Sequence, residues 1–186
     1  MYLVGILGVI VTALLFSREL YVVEEKTRSS LEEASLERAQ AIKHEINENI
    51  NIVFNVQALF QSTEEVSRKE FSIFVTRYFN SNIDIQALEW IPVVKSSQKE
   101  MFIKRAIDEG FVDFQFTEKN PDGLLVKAAP RAEYFPVYYL EPFIGNEKSF
   151  GYDLGSDSTR LKAITKARDT GKLTISGKIN LVHIIG

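Results

Sequence analysis

The sequence predicts an α+β fold in which a long N-terminal helix leads into a small antiparallel sheet carrying helices. Three observations predict it. Residues 23–61 contain neither Gly nor Pro and repeat their apolar positions at helical spacing. From residue 67 onward, capped helical patterns alternate with short apolar or alternating runs. The links between these elements are short, as in a compact mixed domain. The 186 residues leave room for one domain and an appendage. With 45% hydrophobic and 25% charged residues the chain is globular rather than disordered. Its 13 Phe and 7 Tyr supply a core, since each buried aromatic removes roughly 150–250 Å² from water.

Residues 1–16 carry no charge; Arg18 and Glu19 interrupt, and residues 20–23 are apolar again. A spanning helix needs about 20 apolar residues. Residues 1–23 are therefore expected to form a transmembrane anchor. A cleaved signal peptide would need basic residues before the apolar run and a small-x-small site after it, and neither is present. Residues 24–62 follow as a stalk helix. Ile42, Ile46, Ile50, Val53, Val56 and Phe60 recur three or four apart and fall on one stripe. That stripe is expected to pack on the following domain and to pair with a second copy in a homodimer. Glu24, Glu25, Glu32 and Glu33 read as a solvated face.

The remaining residues, 63–186, form the mixed domain. Ser67 and Glu70 have the spacing of a capping box, and Phe71, Phe74, Val75 and Tyr78 make the inner stripe of a helix ending near 80–82. Residues 85–94, IQALEWIPVV, read as a central strand. Ser97 and Glu100 repeat the capping box for a helix lined by Phe102, Ile103, Ala106 and Ile107 and stopped by Gly110. Val112, Phe114 and Phe116 alternate with Asp113 and Gln115 as in a half-exposed strand. Residues 120–123, NPDG, make a turn. A strand lies around 134–139, where Pro136 demands an edge or a bulge. Ser156 or Asp157 caps a helix with Leu161, Ile164 and Ala167 inside and Gly171 at its end. Residues 173–182 open a further strand. The sequence stops within that strand, at residues 183–186, and the domain is expected to be C-terminally truncated.

Charge and chemistry exclude much. With no Cys there are no disulfides, thiolate metal sites or cysteine nucleophiles. A net charge of -3 gives no basic face for nucleic acid. The two histidines, His44 on the stalk and His183 at the end, have no third ligand nearby, so no metal site is expected. No G-x-S-x-G elbow and no phosphate-binding glycine loop occurs. Asp153 and Asp157 fit a helix cap better than a calcium loop. These residues are thus not expected to form an enzyme or to hold a cofactor.

Four segments carry a resemblance. They are ALEWIPV at 87–93, EYFPVYYLEP at 133–142, GYDL at 151–154 together with Arg160, and ARDTG at 167–171 leading into Leu181 and Val182. In this order and spacing the chain resembles the CHASE domain, the extracytoplasmic sensory module of bacterial and plant receptors. The resemblance implies a stalk helix and two PAS-like halves between two membrane spans, feeding a histidine kinase or diguanylate cyclase. This chain would then hold the first span, the stalk and the first half. It would sit in the cytoplasmic membrane with its sensor domain periplasmic or extracellular. Plant cytokinin receptors, members of the family, are similar at 133–137 and 167–172. The acidic residue that holds adenine in them falls here on Pro142, which has no polar side chain to offer, whereas a hydroxyl of their later strand is matched by Ser176. A changed small-molecule ligand is therefore expected.

A pocket in such a sheet is apolar with a few orienting polar groups. Trp90, Tyr134, Tyr138, Glu141 and Ser176 are the candidate ligand-binding residues. For the aromatics the alternative is ordinary core packing, and for Glu141 a rim ion pair. Arg160 and Arg168 offer a bidentate grip on an anion, or surface ion pairs. The expected function is extracytoplasmic ligand sensing, relayed through the stalk to a cytoplasmic output. The other classes are a dimerising ectodomain without a ligand and an exported enzyme.

Overall fold

The structure is a computed structural model that describes residues 2–79 and 85–180. Helix α1 runs unbroken over Tyr2–Ser62 and so merges the expected anchor and stalk. Its described side chains are Phe16, Arg18, Glu19, Tyr21, Lys26, Arg28 and those from Ser30 onward. The expected anchor at 1–23 therefore lies mostly outside the described side chains. Among the described residues no helix is long and apolar enough to cross a membrane. The chain divides into two compact units, Met1–Asn55 and Val56–Gly186. In the first, Leu31, Leu36, Ile42, Ile46 and Val53 are exposed, with Ile42 at 59% and Ile46 at 49%.

In the second unit α2, Arg68–Phe79, begins at the predicted capping box. The Ser67 amide and hydroxyl donate to the Glu70 carboxylate at 2.8 and 2.7 Å, and the Glu70 amide donates back to the Ser67 hydroxyl at 3.2 Å. These bonds hold the Glu70 carboxyl below its ordinary range. Phe71 and Val75 are fully buried one turn apart, the helical stripe expected of this segment. The expected end of α2 near 80–82 lies outside the described residues.

The strand expected over 85–94 is two short strands, β1 Leu88–Trp90 and β2 Val94–Lys95. The strand expected at 134–139 is likewise split, into β5 Glu133–Tyr134 and β6 Tyr139–Glu141. β1 pairs antiparallel with β6, and β2 with β5. Between the two ladders the three residues 91–93 face the four residues 135–138. Each stretch contains a proline, which has no N–H to donate. The extra residue makes a bulge: Trp90 pairs with Tyr139 while its carbonyl also accepts the Tyr138 amide at 3.0 Å. The consequence is that the consecutive Tyr138 and Tyr139 both point into the core, at 0% and 1% exposure.

Helix α3, Lys99–Asp108, follows a 3-10 turn at Ser96–Gln98. The cap forms two residues before the expected Ser97–Glu100 pair, where the Lys95 amide donates to Gln98 Oε1 at 3.2 Å. Gly110, at φ 102°, closes α3 as expected: its amide reaches the Ile107 carbonyl at 2.9 Å and the Phe111 amide reaches that of Ala106 at 3.0 Å. The next strand, β3, is Thr117–Lys119 rather than 112–116. Val112 and Asp113 are spent in a turn, but Phe114 and Phe116 are buried as their alternation requires. β3 pairs with β4, Leu125–Lys127, across the predicted turn.

The segment 151–154 lies between these ladders. The Val137 amide donates to the Tyr152 carbonyl, the Thr117 amide to the Gly151 carbonyl, and the Asp153 amide to the Thr117 carbonyl, all within 3.0 Å. Gly151, at φ 81°, is required here, because a Cβ would stand 2.3 Å from the Gln115 carbonyl oxygen. Asp153 is fully buried and locks the joint: it accepts from the Phe135 amide at 2.7 Å, the Gly155 amide at 3.0 Å and the Arg131 guanidinium at 2.7 Å. Arg131 also bonds Glu118. Helix α4, Ser158–Thr170, is capped by Asp157, whose Oδ1 accepts from the Arg160 amide at 2.9 Å, and Gly171 ends it at φ 64°. Ile164 and Ala167 are half-buried, while Leu161 faces solvent. The strand expected at 173–182 is absent over 173–180; residues 181–182 lie outside the described ones. Among the described residues that segment has no ladder partner, but it keeps a strand-like alternation, with Thr174 and Ser176 half-buried around an exposed Ile175.

Candidate functional site

Strand β1 presents two faces, as the pleat requires. Leu88 and Trp90 pack against the buried core, whereas Glu89 lines a cavity of about 380 Å³ on the other side. Ala87 just before β1, Val137 between β5 and β6, and Tyr152 of the 151–154 segment also line this cavity. Helix α4 contributes Arg160, Ala163, Ile164 and Ala167, three to four residues apart on one helical face. The half-buried Thr174, Ser176 and Ile179 of the C-terminal extended segment close it. At one end stand Gln86, Asn146 and Ser149. The Asn146 amide is fixed there by donating to the Pro142 carbonyl at 2.9 Å and accepting from the Gln86 side chain at 2.9 Å.

Two charged groups of opposite sign line this apolar space. Arg160 is 8% exposed. The Asp157 cap sets its backbone, its Nη2 donates to the Asn180 carbonyl at 2.9 Å, and its guanidinium lies 5.4 Å from the centre of the Tyr152 ring. Glu89 receives no hydrogen bond among the described residues, and no ion pair closes between it and Arg160. Burial pushes the Glu89 carboxyl up to about 7, against the pull of the Arg160 charge. The cavity thus joins partly apolar walls to a titratable acid and a fixed base.

Of the candidates taken from sequence, Ser176 is in the wall of this cavity. Trp90 lies on the opposite face of β1, stacked on Phe60 at 5.3 Å and packed on Tyr139 at 4.6 Å. Tyr138 donates its hydroxyl to the Phe102 carbonyl at 3.0 Å, and burial pushes its phenol up to about 12. Tyr134 is buried beside Phe116, its hydroxyl accepting from the Arg131 amide at 3.1 Å. Glu141 is half-buried at the end of β6 opposite Leu88. These four do not converge on the cavity. Arg168 makes surface ion pairs with Glu133 and Asp169, whereas Arg160 turns inward. Sequence reasoning missed Glu89, and a signal was available: it is the one charged residue in the apolar run 85–90 and the tripeptide after it.

A second, open depression runs along Lys95, Ser97, Arg131, Phe135 and Leu161. Its polar members face solvent or serve the Asp153 joint.

Comparison with known proteins agrees with the segments quoted above. A family model described as the CHASE domain matches residues 64–184. A protein of Dictyostelium discoideum named "Hybrid signal transduction histidine kinase A" is 22% identical over 156 residues. The match covers 82% of this chain and 7% of that relative, so the chain spans a small part of the relative's length.

Proposed function

The chain belongs to the CHASE domain family of sensory modules, and on that premise we propose that it is the small-molecule input domain of a membrane-bound signalling receptor. The observation that carries this reading is the cavity between β1 and α4, whose apolar walls hold Glu89, Arg160, Asn146 and Ser176 at defined positions. The similarity to a hybrid histidine kinase supports a kinase as the output. The uncharged run at 1–16 supports a membrane anchor, the CHASE match supports a sensor domain outside the cytoplasm, and that domain is read as one PAS-like half of the module. The exposed Ile42, Ile46 and Val53 support pairing of α1 with a second copy. A ligand moves such a receptor only through its differential affinity for two arrangements, and the stalk is where that difference is read out.

The test is a thermal-shift screen of metabolites on the full chain, repeated with Ile164→Trp. At least one compound should raise the melting point saturably in the wild type and not in the variant, because a ligand that binds the native state alone stabilises it. No stabilising compound, or an undiminished shift in Ile164→Trp, would overturn the reading. For the stalk, Ile46→Asp should abolish self-association measured by sedimentation and leave the melting point of the second unit unchanged. Unaltered association would remove the dimer from the account.

A further inference from the structure

We propose that the cavity between β1 and α4 selects a zwitterion, an α-amino-acid-like molecule with an apolar body whose ammonium meets Glu89 and whose carboxylate meets Arg160; this rests on the reading of that cavity as the sensor's ligand site. The argument starts from what the two side chains leave undone. Arg160 is more than nine-tenths buried, yet only one of its five guanidinium N–H groups, on Nη2, has a hydrogen-bond acceptor among the described residues. Glu89, on the facing strand, is half-buried and has no donor at all among them. Among the described residues neither side chain holds an atom that is both buried and unbonded; the remaining N–H groups of Arg160 and the Glu89 oxygens open into the cavity, where a ligand can take the place of solvent as their partner.

The obvious partner of each is the other, and the structure does not pair them. Both are in the wall of one cavity, one on the sheet and one on the helix, and they feel each other's charge, but no ion pair closes across the space. A molecule lying between them needs a cationic donor and an anionic acceptor together, as an α-amino acid carries on one carbon. An amine alone would satisfy Glu89 but bring a positive charge towards Arg160. A carboxylate alone would gain a bidentate contact with Arg160 but bring a negative charge towards Glu89. Only a ligand carrying both charges matches the potential at both ends. Ala87, Val137, Ile164 and Ile179 give the wall an apolar stretch that suits an uncharged side chain, with Gln86, Asn146, Ser149, Thr174 and Ser176 completing the lining.

The experiment uses the full chain and measures affinity by calorimetry for alanine, valine, leucine and phenylalanine. Each is compared with the amine lacking its carboxylate and the acid lacking its amino group. At least one amino acid should bind, and both of its partners should bind at least tenfold more weakly. Glu89→Gln keeps the shape and removes the charge. It should weaken that amino acid at least tenfold while the amine-free acid binds no worse than before, a split that mere loss of structure would not produce. Absence of binding by all four amino acids, equal binding by either partner, or an unchanged affinity in Glu89→Gln would each overturn the proposal. In the first case the broader reading still stands or falls on the metabolite screen and Ile164→Trp, so the two failures remain distinct.

Discussion

The two faces of strand β1 were built from neighbouring residues and do opposite work. On one, Leu88 and Trp90 join Phe71, Tyr138 and Tyr139 in a dry, interlocked core, with the Arg68 guanidinium 4.6–5.2 Å from the ring centres of Phe111, Tyr138, Tyr139 and Phe150. On the other, Glu89 looks into a cavity shared with α4. The difference lies in what each charge faces: Arg68 is enclosed by rings, with its Nη2 buried and lacking an acceptor among the described residues, whereas Glu89 and Arg160 open into a cavity. It teaches that on the second face there is room for a ligand beside charge, and on the first there is none.

The comparison predicts its own ways to fail. Tyr139→Ala removes a fully buried ring whose hydroxyl bonds the Val66 carbonyl at 3.0 Å, and should cost about 3–5 kcal/mol in denaturant unfolding. A loss below about 1 kcal/mol would mean that this face is not the core. Asp153→Ala strips the joint of an acceptor for two amides and one guanidinium, and should cost about 3 kcal/mol by the same measurement. Glu89→Gln should behave differently. Because the folded pKa, about 7, is raised above the ordinary 4.5, the neutral form is favoured in the folded state. The group's stabilising contribution is full below 4.5 and is lost as pH rises through 7. Relative to wild type the variant should therefore gain about 2 kcal/mol between pH 5 and pH 8, read from unfolding midpoints at the two values. A pH-independent difference would place Glu89 in solvent. Smallest of all, Ile164→Val on the half-buried cavity wall should cost about 0.5 kcal/mol.

How far the sequence discloses this arrangement depends on how local the cause is. The α2 box at Ser67 and Glu70, the Asp157 cap and the Gly110 and Gly171 stops are decided within four residues, and each is found where its pattern puts it. The ladders are not local. Pro92 and Pro136 break the strands they sit in, and the extra residue between β5 and β6 changes which face each side chain takes. Strict alternation would put Tyr138 and Tyr139 on opposite faces; the bulge puts both inside. Trp90, Tyr134 and Tyr138 suggest ligand contacts because they are large and amphipathic, the same properties that make them good core residues. Glu89 and Arg160 come from segments about 70 residues apart, and only the packing of α4 over the sheet sets them in one cavity.

The central claim is that ligand enters the Glu89 face and not the aromatic one. Methyl-resolved NMR of the full chain, titrated with any compound that raises its melting point, tests it directly. Ile164, Ile179 and Val137 line the cavity, while Val66 and Val75 belong to the aromatic core. The account predicts saturable shifts of the first three methyl groups with the last two nearly still. Shifts concentrated at Val66 and Val75, with Ile164 and Ile179 unmoved, would contradict it.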